Sequence, residues 1–400
     1  MTDGSVYEEL GVPTVVNAAG TKTRIGGSRI RPVALEAMER AAESFVRLSD
    51  LQAAASDRIA EATGAQAGYV ANGAAGALVL AAAACIAGDD PGVMSRLPDT
   101  AGVADEVVMP RTHRTGYDHA IRTAGATIVD IGTNDRSLGT GSRNVEPWMY
   151  ADAIGEDTAA VAHVYKPYEG PPLAEVCELA HDHDVPVIVD AAAEVPPAEN
   201  LSWFTEQGAD LVAFSGGKAI RGPQTTGILA GRTDLVASVA AQHLDMHAAG
   251  EVWDPPERLL DRSGFDGVPA QGLGRPLKVG KEELVGLLVA LESFLEEDHA
   301  TTRAEWRARA ERVADALGEI EDLSTAIVDG AKNAAPTVAV TVDESAASVS
   351  AVELVGALRR EEPHVFVGAD ALAASQFTVN PMCLTDEEAE YVVERVRANL

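Results

Sequence analysis

The most distinctive chemical feature of the sequence is a lysine that directly follows a predicted strand. The run FSGGK ends at Lys218, and only six of the 31 basic residues are lysines. Two glycines permit a tight turn and the close approach of a bulky group to the amine. When burial or a nearby cation lowers the pKa of such a lysine, its neutral amine can attack an aldehyde and form an imine. A P-loop is excluded because Val212 and Ala219 stand where that motif needs Gly and Ser or Thr.

If the aldehyde is pyridoxal phosphate, the site also needs a carboxylate that keeps the pyridine nitrogen protonated. The candidate is Asp190, which ends the apolar run VIVD and lies 28 residues before Lys218. The carboxyl end of a strand in an open α/β sheet is where ligands bind. The alternative interpretation of Asp190 is a helix N-cap or a turn residue.

The cofactor also needs a site for its phosphate. The run NGAAG at residues 72–76 follows an apolar strand and opens an apolar helix, so Gly73, Ala74 and Ala75 offer backbone N–H groups at a helix N-terminus. A close packing turn between strand and helix would need the same small residues. Because the run lacks the pattern G-x-G-x-x-G, a nicotinamide site is disfavoured.

A flat group over the cofactor ring is the third requirement. His113 follows the run at residues 106–109, and its imidazole could stack on the ring and relay protons; a solvated loop histidine is the alternative, with Arg114 as the second candidate for stacking. Cations beside glycines or prolines in predicted loops could clamp an anionic substrate; they are Arg24, Arg111, Arg114, Arg221, Arg275 and Lys278.

Alternating strands and helices must position these residues. Apolar, β-branched runs occur at 68–71, 106–109, 127–131, 159–164, 187–189, 211–214 and 227–230, and helical periodicity occurs at 31–45, 75–86, 117–124, 173–183 and 202–207. This alternation predicts a doubly wound α/β domain with one large, mostly parallel sheet of seven strands.

The pattern changes after residue 276. Residues 278–320 have helical periodicity, as one helix or as two with a break near His299 or Thr301, and strand-like runs (325–328, 337–342, 364–367, 376–379) and helices (350–361, 386–399) follow. We therefore expect a smaller α+β domain. The expected organisation is an N-terminal segment at 1–45 that packs on the small domain or on a dimer partner, a large domain at 46–277, and the long helix with the small domain at 278–400.

Charge and composition limit the partners and the compartment. The net charge of −31 weighs against nucleic acid, and an acidic, lysine-poor chain suits a cytosol of high salt. No stretch approaches the roughly 18 apolar residues of a membrane helix, and no secretory signal is evident. The cysteines Cys85, Cys177 and Cys383 lie in apolar contexts and are expected to be reduced.

Two further patterns are interpreted as structural. The run His181-Asp182-His183-Asp184 resembles a metal cluster, but adjacent residues of a helix point in different directions, so no metal site is predicted. Cys177 lies on the apolar face of a predicted helix, where burial would raise its pKa and make a thiol enzyme unfavourable.

Taken in order, the motifs resemble the selenocysteine-synthase-like branch of fold-type I pyridoxal-phosphate enzymes, and above all its ammonia lyases for phosphorylated amino-sugar acids. The resemblance covers nearly the whole chain. The runs that carry it are VNAAGT at 16–21, residues 51–64 and 68–76, RLPDT at 96–100, VDAAAE at 189–194, SGGK at 215–218, RGPQ at 221–224 and GRPLKV at 274–279.

The resemblance implies Lys218 as the residue that forms the imine, Asp190 as the partner of the pyridine nitrogen, and His113 over the ring. It implies that Gly73, Ala74 and Ser215 lie near the cofactor phosphate, and that the protein is a homodimer or a higher oligomer. The chain reaches the VNAAGT run almost at once, without the tRNA-holding N-terminal domain of bacterial selenocysteine synthases, so a tRNA substrate is disfavoured.

The expected function is a pyridoxal-phosphate lyase that deaminates a small anionic amino acid or amino-sugar acid by α,β-elimination. The alternatives are a transferase, either an aminotransferase or an L-seryl-tRNA selenium transferase, and a non-catalytic relative that retains the cofactor. Elimination, transamination and racemisation share their early steps, so the sequence indicates the cofactor more clearly than it indicates the reaction.

Overall fold

The computed structural model describes residues 5–134, 144–166, 170–244, 248–265, 267–269, 271–329 and 335–400. The chain divides into two compact units. The larger is Ile30–Glu296, and the smaller combines Met1–Arg29 with Glu297–Leu400. None of the described helices has the length and apolar character that a bilayer crossing demands.

The strands, in chain order, are β1 (Val15–Ala18), β2 (Ala67–Asn72), β3 (Glu106–Pro110), β4 (Thr127–Ile131), β5 (Thr158–Val164), β6 (Val187–Asp190), β7 (Leu211–Ser215), β8 (Thr226–Gly231), β9 (Leu323–Val328), β10 (Thr337–Val342), β11 (His364–Val367) and β12 (Gln376–Val379). The helices are α1 (Val6–Glu9), α2 (Pro32–Ala42), α3 (Leu48–Thr63), α4 (Gly73–Ala87), α5 (Pro91–Arg96), α6 (Asp118–Thr123), α7 (Pro147–Ala153), α8 (Leu173–His181), α9 (Asn200–Glu206), α10 (Thr233–His243), α11 (Lys281–Leu295), α12 (His299–Gly318), α13 (Ala351–Leu358) and α14 (Asp386–Ala398).

The larger unit contains a seven-stranded sheet in the order β2-β8-β7-β6-β5-β3-β4. Only β8 is antiparallel, and it pairs with both β2 and β7. All seven predicted strand runs form strands of this sheet, so the predicted fold class is confirmed. The strands are apolar along most of their length because helices cover both faces of a parallel sheet.

Alternate residues of each strand point to opposite faces and build two separate cores. On one face, Ile188, Ala213 and Leu229 pack with the alanine-rich helix α4. On the other face, Val189 and Phe214 pack with helices that include α8, α9 and α11. Eleven residues of α4 are buried, which agrees with the small, apolar composition that let us predict a helix there.

The smaller unit has an antiparallel sheet in the order β12-β10-β9 and a parallel pair of β1 with β11. These strands, together with α12, α13 and α14, enclose a third core. Strand β1 was not predicted, because its four residues contain only two β-branched apolar side chains before Asn17. It carries the start of the NAAG run.

The boundaries of the units differ from those expected from the sequence. Helix α2 belongs to the larger unit because it packs on α11: Lys281 Nζ donates a hydrogen bond to Ala41 O at 2.7 Å, and a Cβ at Gly286 would lie 2.7 Å from Met38 Sδ. Helix α11 itself contributes Leu287 and Phe294 to a core of the larger unit. Helical periodicity alone could not assign either helix to a unit.

The helical stretch at 278–320 forms two helices, which confirms the second of the two predicted alternatives. Helix α11 ends at Leu295, and Asp298 caps α12 by accepting hydrogen bonds from the N–H groups of Ala300 and Thr301, both at 3.1 Å.

The strand directions bring one set of chain segments to a common edge. Strands β3, β5, β6 and β7 are parallel, and β2 has the same direction because two antiparallel pairings separate it from β7. The segments after all five strands therefore lie at the carboxyl edge, where open α/β sheets bind ligands.

Candidate active site

Lys218 lies in a turn at the carboxyl edge whose backbone is tied at several points. The N–H of Gly216 donates to Thr226 O at 2.9 Å, and the N–H of Gly222 donates to Gly216 O at 2.9 Å. The N–H of Arg221 donates to Lys218 O at 3.1 Å. These bonds close residues 216–222 into a compact turn, so the position of the lysine backbone is fixed.

The two glycines before Lys218 are required by space. A Cβ at Gly216 would lie 2.3 Å from Thr226 Oγ1, and one at Gly217 would lie 2.5 Å from Gln224 Cα. Neither glycine has a positive φ. The predicted need for small residues at this turn therefore comes from the close approach of residues 224–226.

Arg31, the residue before α2, supports the same turn. Its side chain is buried, its Nε donates to Ile220 O at 2.9 Å, and its backbone N–H donates to Arg221 O at 3.0 Å. Its guanidinium lies 6.0 Å from the centroid of the Phe294 ring. A buried cation with aromatic and carbonyl partners thus positions the lysine turn.

Asp190 ends β6 and lies beside Ala213 of β7 in the strand register. Its Oδ1 accepts a hydrogen bond from the N–H of Ala192 at 3.1 Å. Burial raises the pKa of its carboxyl group, and the positive charge of Lys218 opposes that rise. Asp190 therefore lies in a poorly solvated place, on the strand next to the one that Lys218 follows.

The N-terminus of α4 lies at the same edge. Gly73 has φ of +68°, and a Cβ on it would meet no atom within 4 Å, so open space adjoins the first turn of α4. Gly227 of β8 packs against this turn, because a Cβ there would lie 2.3 Å from Gly73 C. Ser215 is the partner of Gly227 in the β7–β8 register, which brings the predicted phosphate residues Gly73, Ala74, Ala75 and Ser215 to one corner of the sheet.

His113 follows β3 and is fully buried. Its Nδ1 accepts a hydrogen bond from the N–H of Val164 at 3.3 Å, and its ring contacts the His163 ring edge to face, with centroids 4.5 Å apart. Burial, His163 and Lys166 lower the pKa of His113 to about 2. The ring is therefore neutral and carries its proton on Nε2, which suits stacking better than proton relay.

A pocket opens on the α4 face of the sheet beside these residues. Most of its lining is apolar, and its polar contributors include Asp190 and His163; the lining residues are Leu78, Met109, Thr115, Tyr117, Asp118, Ile121, Ala162, His163, Val164, Ile188 and Asp190. The Nδ1 atom of His163 is buried and has no hydrogen-bond partner among the described residues.

The predicted anion-binding arginines after β3 already have acidic partners. Arg114 forms ion pairs with Asp118 and with Asp130, both at 2.9 Å, and Arg111 lies 3.6 Å from Asp130. Their charges are therefore largely compensated within the chain.

The other predicted cations occupy different parts of the chain. Arg24 is exposed and belongs to the smaller unit, whereas Arg275 and Lys278 are exposed on the larger unit near the start of α11. Arg221 is half-buried and lies three residues after Lys218.

Sequence reasoning missed polar residues that surround the predicted ones. Lys166 donates a hydrogen bond from Nζ to Thr112 O and so ties the end of β5 to the residue before His113. Glu194 is close enough to Asp190 and Lys218 to feel their charges, and burial, followed by Asp190, raises its pKa. A lysine two residues after a strand in a lysine-poor chain was the available signal for Lys166.

The two sequence patterns interpreted as structural lie away from this edge. His181 ends α8, and its Nε2 is hydrogen-bonded to Asp210 Oδ2 at 2.8 Å, immediately before β7 begins. Burial raises the pKa of Cys177 to about 12, so this thiol is protonated and unreactive near neutral pH.

A family model described as L-seryl-tRNA selenium transferase matches residues 15–247. The chain belongs to this family. A class-V aminotransferase model also matches residues 169–369.

The chain is similar to two curated proteins over nearly its whole length. It is 30% identical over 401 residues to a D-glucosaminate-6-phosphate ammonia lyase of Salmonella typhimurium, with 98% of this chain and 97% of the relative covered. It is 33% identical over 397 residues to a 5'-C-glycyluridine monooxygenase-decarboxylase of a Streptomyces species, with 98% and 90% covered.

A solved structure of a D-glucosaminate-6-phosphate ammonia-lyase has the same fold, with a TM-score of 0.80 and 29% identity over 100% of this chain and 98% of that one. The predicted resemblance is therefore confirmed, and with it the assignment of the chain to the pyridoxal-phosphate-dependent lyases and transferases.

The selenium transferase family implies pyridoxal phosphate as the cofactor, and the carboxyl edge fits it. The first N–H groups of α4 have no partners within the helix, and the Asn72 side chain makes no capping bond among the described residues. A phosphate could accept these N–H groups in the open space beside Gly73. Among the described residues, the Asp190 carboxylate accepts one hydrogen bond, from the N–H of Ala192, so it retains acceptor capacity for a protonated ring nitrogen.

The buried histidine gives a pH prediction. The pKa of His113 is about 2 in the folded chain against 6.5 for a free histidine, so the unfolded chain binds a proton below pH 6.5 that the folded chain does not. Stability from this histidine is complete above pH 6.5 and falls by about 1.4 kcal/mol for each pH unit below it. His113→Asn should therefore reduce the difference in unfolding free energy between pH 7.5 and 5.5, measured by urea denaturation.

The matched control is His119→Asn, which replaces an exposed histidine of α6 and should retain the wild-type difference. If His113→Asn and His119→Asn gave the same pH difference, the buried neutral state of His113 would be incorrect.

Proposed function

We propose that the chain is a pyridoxal-phosphate lyase that removes ammonia from a small anionic amino acid or amino-sugar acid by α,β-elimination. The observation that carries the proposal is that Asp190 at the end of β6 and Lys218 just after β7 follow neighbouring parallel strands to one sheet edge, beside the N-terminus of α4. The similarity to an ammonia lyase over 98% of the chain supports the choice of reaction.

Pyridoxal phosphate, held by Lys218, would supply an electron sink for the charge that develops when a substrate loses its α-proton. The Lys218 Nζ would accept that proton. The Asp190 carboxylate would accept a hydrogen bond from a protonated ring nitrogen and keep the proton there. His113 is buried and neutral, and it would exclude water from one side of the cofactor.

The proposed reaction balances in atoms and electrons. The α-proton and a β-hydroxyl group leave as water, and the resulting enamine takes up water to give a keto acid and ammonia. The chain therefore needs no oxidant, reductant or amino acceptor. A lyase differs in this respect from an aminotransferase, which releases no ammonia and needs a keto acid as co-substrate.

The alternative is a transferase or oxygen-dependent activity on the same cofactor. The family model supports a selenium transferase, but the net charge of −31 disfavours a tRNA substrate. Because the chain is also similar to a monooxygenase-decarboxylase, oxygen uptake and carbon dioxide release should be measured for each substrate in addition to ammonia. A protein that binds the cofactor but has no activity would convert none of the substrates.

Lys218→Ala tests the proposed chemistry. The purified protein should show a visible imine band that borohydride bleaches, and the variant should lose this band and lose about 10² to 10⁴-fold in ammonia release, since general base catalysis is removed. The assay is a panel of amino acids, hydroxyamino acids and amino-sugar acids, with and without phosphate, scored for ammonia and keto acid.

Lys281→Arg is the control, because Lys281 belongs to α11 and its Nζ bonds to Ala41 O. This variant should keep both the band and the activity. Undiminished catalysis by Lys218→Ala would contradict the mechanism.

We also propose a homodimer, as the resemblance implies. Large apolar side chains are exposed on α2, at the start of α3 and in the segment between them. Phe45 of that segment is 101% exposed, and Val46, Val33, Leu35 and Leu48 are 39–49% exposed. Burial of such a patch stabilises subunit contacts. Sedimentation velocity should give about twice the mass of one chain for the wild type and a shift toward one chain mass for Phe45→Asp. A wild-type protein that sediments as a single chain would overturn this.

We propose that the protein works in a cytosol of high salt, because it has 62 acidic residues and only 31 basic ones. Raising the salt to 1 M shortens the screening length from about 10 Å to about 3 Å, so self-repulsion weakens. The unfolding temperature should therefore rise with KCl more than with sucrose of equal osmolality, which controls for solute exclusion. A midpoint that does not respond to KCl would remove the proposal.

A further inference from the structure

His163 is a polar residue in an otherwise apolar, buried strand. Strand β5 contains one ionisable side chain, that of His163, among alanines, valines and a threonine, and this residue is only 4% exposed. Its Nδ1 atom is buried without a hydrogen-bond partner among the described residues. A buried polar atom that has no partner lowers the stability of a fold, so packing of the core alone does not account for a histidine at this position.

The His163 ring packs against the ring of His113. The two rings meet edge to face, with centroids 4.5 Å apart and planes at 87° to each other, an arrangement that aromatic rings favour. Burial lowers the pKa of His163 to about 4 and that of His113 to about 2, so both rings are neutral near pH 7. The contact therefore involves no repulsion between charges.

Three residues at and just after the end of β5 hold His113 and its neighbour. The N–H of Val164 donates to His113 Nδ1 at 3.3 Å, the His163 ring packs on the His113 ring, and Lys166 donates to Thr112 O. The Nδ1 bond is longer than the usual range of about 2.7–3.2 Å, so by itself it fixes the ring weakly. Rotation of the His113 ring would break this bond, and the perpendicular His163 ring opposes that rotation by steric contact.

His163 also lies at the candidate site. It lines the same pocket as Asp190. In the register of β5 with β6, His163 is the partner of Val189, and Val164 is the partner of Asp190. The contact that holds His113 is therefore at the same sheet edge as the carboxylate.

We propose that His163 is a positioning residue for His113. Its ring holds the His113 ring in the orientation in which Nδ1 accepts from Val164, and so selects the tautomer that carries its proton on Nε2. This inference rests on the proposed function, in which His113 lies beside the cofactor, and deepens it by naming the residue that orients this ring.

The test compares His163→Leu, which removes the ring, with His163→Phe, which keeps a ring and removes both nitrogens. Nuclear magnetic resonance of isotope-labelled histidine nitrogens reports the tautomer, and the His113 signals are assigned by their absence from His113→Asn. In the wild type and in His163→Phe, His113 should show one protonated and one unprotonated nitrogen. In His163→Leu, both signals should shift toward intermediate values, because the released ring exchanges between its two neutral tautomers.

The same variants, loaded with pyridoxal phosphate, are assayed with the substrate panel and by thermal unfolding. His163→Leu should release ammonia about tenfold more slowly than the wild type, because a misplaced group at a site lowers the rate, whereas His163→Phe should retain the wild-type rate. Neither variant should unfold at a lower temperature than the wild type, since each removes the buried nitrogen that has no partner.

Tyr150→Phe is the matched control. Tyr150 lies in α7, and its buried hydroxyl group also has no hydrogen-bond partner among the described residues. Removal of this hydroxyl should not lower the unfolding temperature, as in His163→Phe, and should leave the His113 signals and ammonia release unchanged.

Three results would overturn the proposal. The first is a His163→Leu variant with the His113 signals, or the rate of ammonia release, of the wild type. The second is the same shift of the His113 signals in His163→Phe as in His163→Leu, because the nitrogens of His163 would then be required. The third is a lower unfolding temperature in both variants, which would make the histidine structural. A failure of the proposed function appears instead as a wild type without an imine band or ammonia release, and the His113 signals still test the role of His163 in that case.

Discussion

The closed turn that carries Lys218 is the constraint on which the site depends. In the proposed mechanism its amine acts only at a fixed position relative to the carboxylate at the end of the neighbouring strand, and a flexible loop would not supply that position. Backbone hydrogen bonds within residues 216–222 and to Thr226, together with the buried cation of Arg31, remove the freedom of the turn. Gly216 and Gly217 are the residues that let β7 and the segment before β8 approach closely enough for this closure.

Burial is the second determinant of the chemistry at this edge. It raises the pKa of Asp190 and Glu194, and it lowers the pKa of His113 to about 2 and that of His163 to about 4. The site thus disfavours charge unless a partner compensates it. A protonated ring nitrogen beside Asp190 would provide such a partner, and a neutral His113 would lie against the ring without adding a positive charge.

The relatives show that this scaffold serves several reactions. Proteins named as an ammonia lyase and as a monooxygenase-decarboxylase are each at least 30% identical to this chain over nearly its full length. Overall similarity of this degree therefore does not by itself decide which reaction a chain catalyses.

The sequence by itself determined the seven strands of the large sheet, the two-helix alternative at 278–320 and the order of Lys218, Asp190, His113 and the NGAAG run, since strand periodicity and motif spacing are local properties. It could not assign α2 and α11 to the larger unit, because their partners lie about 240 residues apart in the chain. Nor could it reveal that Arg111 and Arg114 share Asp130, that Lys166 contacts Thr112, or that Arg221 has a left-handed backbone. Those features arise only when distant segments pack together, because burial, ion pairing and backbone strain are set by neighbours in space.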